Sequence, residues 1–259
     1  MTTISIPIAQ LQAFLLIFLR VSAIILVLPI FSSKNIPVML KAGLSISVSI
    51  VLFPMVRIEA LPFLTEPIPF AIEVMGEILL GAVIGLSVRM LFAGIQLAGQ
   101  LLGFQMGLGI ANVMDPISNS QASVIAQLKN LFAMLMFLAV NAHHQLLQAL
   151  VKSFRMMPPP LDFQYGTSLM EQVVRLAGNM FIIAVKVGAP VMIVLLLTSV
   201  ALGLVARTVP QMNVFIVAFP VKIVIGFVFL AGALPFLASF LKQIFEGMSG
   251  EIFLILKNI

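Results

Sequence analysis

The sequence contains no cysteine and no tryptophan, and Tyr165 is its only tyrosine. The absence of cysteine excludes disulfide bonds, thiolate nucleophiles and cysteine metal sites. Tryptophan and tyrosine normally form the aromatic belts at the lipid interfaces of a membrane protein. Any such belt must therefore be formed by phenylalanine here or hardly exist, which indicates that much of the surface faces protein instead of lipid.

Charge is also scarce, because only 9% of the 259 residues are charged, against about a quarter in soluble proteins. Hydrophobic residues make up 61% of the chain and its mean hydropathy is +1.20, which predicts an integral membrane protein. The net charge of +5 comes from scattered Lys and Arg, so nucleic-acid binding and polybasic lipid capture lack support. The N-terminus has no signal-peptide pattern, so we expect the first apolar segment to be retained.

Apolar runs alternate with proline-rich or polar breaks, which predicts an all-α membrane protein built of kinked helical hairpins. Helices are expected at residues 8–31, 42–56, 70–107, 124–154, 168–207 and 214–241, followed by a short amphipathic tail at 242–259. Pro190 should kink the fifth of these helices. Three consecutive prolines at 158–160 form the clearest boundary.

Several charged residues lie within the apolar segments, where an unpaired charge costs a few kcal/mol. They should pair with one another or line a watery cavity: Arg20, Glu73, Glu77, Arg89, Lys129, Lys186 and Lys222. Glu73 and Glu77 are four residues apart and share a helix face. They either neutralise basic residues of neighbouring helices or form a proton relay or cation site.

A run of small residues begins at Gly99 and continues into a loop with the sequence GQLLGFQMGLGIANVMDP. Gly99, Gly103 and Gly107, at four-residue spacing, place a smooth strip on one helix face. The strip packs either within the chain or against a partner subunit. The loop that follows is both flexible and apolar, so it is either a passive connection or a deformable plug, and we favour the plug. The residues assigned to this plug are Met106, Gly107, Leu108, Gly109, Ile110, Asn112, Val113, Met114, Asp115 and Pro116.

Catalytic patterns are missing: there is no HExxH, no GxSxG and no P-loop. We therefore predict no catalytic residue, no cofactor and no metal site. His143 and His144 are adjacent and are expected to point to different sides of a helix, which is poor geometry for a shared metal. Two rival functions stay open, namely a secondary transporter or proton channel that uses Glu73, Glu77, Arg89 and Lys186, and an intramembrane hydrolase that uses Glu77, His143 and a metal.

Three segments together carry a resemblance to a known family: GQLLGFQMGLGIANVMDP, NAHHQLLQALVKSF and ALGLVARTVPQMNVFIVAFPVKIVIGF. They resemble the flagellar biosynthetic protein FliR family, the T component of type III secretion export gates, and the likeness runs over essentially the whole chain. The resemblance implies a non-enzymatic subunit that joins the P and Q subunits (FliP and FliQ) and the FlhB-type switch subunit in a helical export-gate core. Unfolded flagellar proteins would pass through this core, at the basal body in the bacterial inner membrane.

The resemblance also divides the chain. Residues 1–157 resemble the P subunit, with a lumenal plug loop at about 106–121, and residues 158–259 resemble the Q subunit. The turn formed by Arg207, Pro210, Gln211 and Asn213 would cap the Q-like hairpin toward the cytoplasmic entrance.

Overall fold

A computed structural model describes residues 8–31, 36–56, 67–108, 123–159, 166–209, 211 and 213–258. In these ranges the regular elements are helices, numbered in chain order. They are α1 (Ile8–Val27), α2 (Val38–Leu52) with a 3-10 turn (Phe53–Met55), α3 (Pro67–Gln105), α4 (Val124–Ala139), α5 (Ala142–Met156), α6 (Gly166–Thr208) and α7 (Val214–Asn258).

Five helical stretches are long and apolar enough to cross a membrane, and α4 and α5 together form a sixth candidate. The five are Gln10–Val27, Val38–Met55, Ile68–Gln105, Met170–Thr208 and Ile216–Lys257. A span needs roughly 20 predominantly apolar residues. The prediction of an all-α membrane protein is therefore confirmed.

Two predicted boundaries are wrong. The helix expected at 124–154 is broken between α4 and α5, which meet at an angle of 68°. Asn141 lies at this break in the left-handed conformation, with φ 55° and ψ 30°, which asparagine tolerates better than most residues. The tail expected after residue 241 is not a separate element, because α7 continues without interruption to Asn258.

The chain divides into two compact units. The first comprises Met1–Met90, Asn141–Ala177 and Glu246–Ile259, and the second comprises Leu91–Val140 and Gly178–Phe245. Because each unit draws on separate stretches of sequence, helices α3, α6 and α7 contribute to both. The likeness of residues 1–157 and 158–259 to two other subunits concerns a different division and stays a prediction.

In the first unit, α1 and α3 approach each other closely at two glycines of α3. A β-carbon on Gly81 would lie 2.6 Å from the carbonyl oxygen of Arg20, and one on Gly85 would lie 2.8 Å from Cβ of Val27. Real β-carbons do not tolerate such distances. These two glycines therefore permit the contact between the helices, as small residues do in membrane proteins.

In the second unit, three phenylalanines from three helices form an aromatic core. The ring centroids of Phe92 and Phe137 are 5.8 Å apart, and those of Phe137 and Phe245 are 5.3 Å apart in an edge-to-face arrangement. Phe92 and Phe245 complete the triangle at 5.7 Å. Edge-to-face and tilted aromatic pairs are the favourable geometries, so this triangle joins α3, α4 and α7.

Candidate functional site

The first candidate site is a completely buried ion pair in the first unit. Arg20 of α1 and Glu77 of α3 both have no exposed surface. The Nε of Arg20 donates to Oε2 of Glu77 at 2.5 Å and its Nη2 donates to Oε1 at 2.8 Å. This bidentate geometry matches the guanidinium fork to the carboxylate, so the two charges neutralise each other where water is absent.

The end of α5 completes the surroundings of Arg20. Nη1 donates to Oγ of Ser153 at 3.2 Å, and Nη2 donates to the backbone carbonyl of Met157 at 3.0 Å. The ring of Phe154 lies 4.0 Å from the guanidinium carbon, within the range of a cation–π contact. Arg20 therefore ties α1, α3 and the end of α5 together.

The other predicted intramembrane charges lie in different surroundings. Glu73 is 7% exposed, one turn before Glu77 on α3. Arg89 and Lys186 are exposed, and Lys222 is half-buried. The structure thus brings Arg20 and Glu77 into contact but leaves Arg89 and Lys186 at the surface of the single chain.

Lys129 of α4 is a second buried cation, 1% exposed, in the second unit. Its Nζ donates to the backbone carbonyl of Val187 in α6 at 3.3 Å. Pro190 follows three residues later inside α6, and proline interrupts the hydrogen bonding of the preceding helical turn. A cation beside the carbonyl groups of such a turn is favourable, as at a helix C-terminus, so Lys129 links α4 to the proline-containing turn of α6.

The second candidate site is the C-terminal end of α3. A β-carbon on Gly99 would collide with the backbone of Ala126, and one on Gly103 would collide with Oγ of Ser123. Both contacts lie at the start of α4. The first two glycines of the predicted strip therefore face another helix of the same chain.

Gly107 has a different place, because it terminates the helix instead of extending the strip. Its φ is +83°. Its N–H donates to the carbonyl of Phe104 at 3.0 Å, and the N–H of Leu108 donates to the carbonyl of Gly103 at 3.0 Å. This pair of bonds around a left-handed glycine is a Schellman motif, a specific stop signal for a helix.

Met106 anchors this end of α3 in the core of the second unit. It is 1% exposed and belongs to a buried cluster drawn from four helices, formed by Leu102, Met106, Ile125, Val191, Leu195 and Leu230. Leu108 packs against the same cluster. The helix end is therefore held both by hydrogen bonds and by apolar packing.

Part of each predicted loop lies outside the described residues. This applies to Gly109, Ile110, Asn112, Val113, Met114, Asp115 and Pro116 of the plug and to Pro210 of the turn. Arg207, Gln211 and Asn213 of the turn are exposed.

The two histidines lie at the beginning of α5. Their ring centroids are 4.3 Å apart, so the expectation that they point to different sides is wrong. Both rings project from the first turn after the break at Asn141, where they lean toward each other. Across the described part of the chain, His, Asp and Glu form no group of three or more that could hold a metal ion.

Sequence reasoning missed several residues at both places. Ser153 and Phe154, next to Arg20, carry no signal that distinguishes them from other helix residues. Phe219 and Gly226 of α7, which contact the end of α3, were missed for the same reason. The glycines at 81 and 85, spaced like those at 99 and 103, were a signal that could have located the contact between α1 and α3.

Residues 11–248 match the profile of a family described as bacterial export proteins, family 1. The flagellar biosynthetic protein FliR of Bacillus subtilis (strain 168) is 36% identical over 236 residues, which cover 90% of each chain. The protein of the same name from Escherichia coli (strain K12) is 31% identical over 246 residues, 93% of this chain and 90% of the relative. That of Aquifex aeolicus (strain VF5) is 26% identical, over 90% and 89% of the two chains.

Proposed function

This chain belongs to the bacterial export proteins, family 1, and on that premise we propose that it is a non-enzymatic component of flagellar protein export. It acts as one subunit of a membrane-embedded gate through which unfolded proteins pass. Its partners are the P and Q subunits, FliP and FliQ, and the FlhB-type switch subunit. Its location is the basal body in the bacterial inner membrane.

The observation that carries a subunit role is the exposure of apolar helix surface. Within the apolar 18-residue window of each stretch, only 17% of the residues are buried in the chain for Val38–Met55 and 17% for Ile216–Lys257, against 61% for Ile68–Gln105. Helices α2 and α7 thus leave most of their apolar surface to be covered by something else. Partner helices in an assembly, together with lipid, provide that cover.

The buried charges support a structural role over a relay. A transporter or proton channel requires a carboxylate that can exchange protons with water. Glu77 instead gives both of its oxygens to Arg20, and neither residue has exposed surface. We therefore assign this pair to holding the helices together.

The segment between α3 and α4 is proposed as the plug of the gate. Its two ends meet at Gly103: Leu108 is hydrogen-bonded to the carbonyl of Gly103, and Ser123 lies where a side chain of Gly103 would be. An apolar, glycine-containing loop of this kind can fill a pore and can be displaced by a passing chain.

Assembly is tested by native mass spectrometry of this chain co-expressed with FliP and FliQ from the same bacterium. We expect a stable particle that contains one copy of this chain. A monodisperse particle of this chain alone, obtained in the presence of those partners, would contradict the subunit role.

The plug is tested separately, in assembled complexes reconstituted into vesicles. Replacing residues 109–122 with a short Gly-Ser linker should raise ion permeability. The matched control keeps the loop length but exchanges only Ser118 and Ser120 for alanine, and it should stay sealed. Equal permeability of the linker variant and the native complex would refute the plug.

The turn at Arg207, Gln211 and Asn213 is proposed to lie at the entrance to the gate. Its described residues are exposed between two apolar helices, as expected for a turn in water. Residues 1–157 and 158–259 are proposed to take the places of a P-like and a Q-like subunit in the assembly.

A further inference from the structure

Helix α7 touches the end of α3 at a glycine. A β-carbon built on Gly226 would lie 2.7 Å from Cε and 2.8 Å from both Cγ and Sδ of Met106. Most of the Met106 side chain therefore lies directly on the backbone of α7. Because Met106 is almost completely buried, it has little room to move aside.

A second contact is formed two turns earlier on the same face of α7. Phe219 precedes Gly226 by seven residues, which places both on one side of the helix. The edge of the Phe219 ring occupies the position that a side chain on Gly107 would take. Position 107 therefore requires glycine for two reasons. Its φ is +83°, and the Phe219 ring occupies the space that a side chain would need.

The same face of α7 continues into the buried cluster. Leu230, four residues after Gly226, belongs to the group that contains Leu102 and Met106, and Ala233 packs against that group. The contact is therefore continuous from Phe219 to Ala233. This face of α7 contacts Met106 and Gly107, the residues that end α3.

We propose that Phe219 and Gly226 of α7 form a seat for Gly107 and Met106, and thereby position the end of α3 from which the proposed plug continues. The functional consequence rests on the plug role proposed above. The seat is close to the predicted entrance turn, because α7 begins at Val214 and Phe219 lies about 7.5 Å further along its axis. A shift of the start of α7 would therefore move the ring that covers Gly107.

The test compares Gly226→Ala with Gly232→Ala in assembled complexes. Both glycines lie inside α7, but a β-carbon on Gly232 would meet nothing within 4 Å. Amide hydrogen exchange is measured for the peptide that contains the Gly107 and Leu108 amides, which the Schellman motif protects. Ion permeability is measured on the same complexes.

We expect Gly226→Ala to speed exchange at these amides roughly tenfold, as overpacking of a buried contact does, and Gly232→Ala to leave it unchanged. Unchanged exchange in Gly226→Ala overturns the seat. Faster exchange supports the seat whether or not permeability changes, whereas the plug is refuted only by the linker variant described above, so the two proposals fail separately.

A second pair of variants covers the case in which Gly226→Ala does not assemble. Phe219→Ala uncovers Gly107 and should also speed exchange, whereas Phe227→Ala removes a ring that is 44% exposed on the same helix and should not. Equal exchange in these two variants would overturn the seat.

The variant Met106→Ala combined with Gly226→Ala tests whether the effect passes through the methionine. Residues in contact give non-additive effects. The fold increase in the exchange rate of the double variant should be smaller than the product of the fold increases of the two single variants. An effect equal to that product would show that Gly226 acts elsewhere and would overturn the contact.

Discussion

At the scale of single residues, Arg20 and Lys129 are both buried cations, but they differ in how many groups in the structure stabilise their charge. Arg20 has a carboxylate, a hydroxyl, a carbonyl and an aromatic ring around it. Lys129 has the carbonyl of Val187. Removing a charge from water is costly unless the charge is paired and hydrogen-bonded, so the two cations should respond differently to replacement.

For Arg20→Leu we expect a loss of about 3–5 kcal/mol of stability, because the substitution leaves Glu77 buried without its partner. The double variant Arg20→Leu/Glu77→Leu should recover much of this loss. Denaturation in detergent micelles measures both. Lys186→Ala, at an exposed position of α6, serves as the control. If the double variant were as unstable as the single one, the carboxylate would not be the cause.

For Lys129→Met we expect a change within about 1 kcal/mol, or a gain, because one long hydrogen bond is lost while a buried charge is removed. The same denaturation assay applies, with Arg20→Met as the contrasting variant. A loss of several kcal/mol in Lys129→Met would show that this ammonium has a carboxylate partner in the folded protein.

At the scale of helices, the glycines of α3 decide which surfaces come together. Gly81 and Gly85 face α1, and Gly99 and Gly103 face the start of α4. The apolar side chains of these helices alone do not specify such contacts, because lipid is as apolar as leucine. Close approach of backbones supplies the packing that lipid cannot.

Gly81→Ala should destabilise the protein by about 1–3 kcal/mol, because its β-carbon would meet the backbone oxygen of Arg20, which has no freedom to move. The control is Gly43→Ala in α2, where a β-carbon would meet nothing within 4 Å. Alanine at that position should stabilise the helix by up to about 1 kcal/mol. The midpoints of thermal unfolding of the two variants are measured in the same detergent. Equal midpoints would argue against the packing role of Gly81.

At the scale of the whole molecule, helices α2 and α7 leave most of their apolar residues uncovered by the rest of the described chain. A protein whose folded form is bound by partners gains stability by mass action. The midpoint of thermal unfolding should therefore be higher in the proposed complex with FliP and FliQ than for the chain purified alone. The matched control adds an unrelated membrane protein at equal concentration. Identical midpoints in all three samples would contradict a subunit that depends on partners.

The sequence by itself determined the all-α membrane class, the number of apolar segments and most of their boundaries. These follow from local composition and from prolines and glycines that act on their own neighbourhood. It also indicated that buried charges such as Arg20 need partners. It could not show the break at Asn141, because asparagine occurs in helices as well as in left-handed turns.

Only the tertiary structure decided which residues meet. Glu77 lies 57 positions from Arg20 along the chain, and Met106 lies far from Gly226, so no local pattern joins either pair. Such contacts depend on how whole helices are placed, and several basic residues could have satisfied Glu77 equally well by charge alone. The chain's composition therefore specified that it forms apolar helices, whereas the positions of its glycines in three dimensions selected their neighbours, because backbones approach closely only where no β-carbon intervenes.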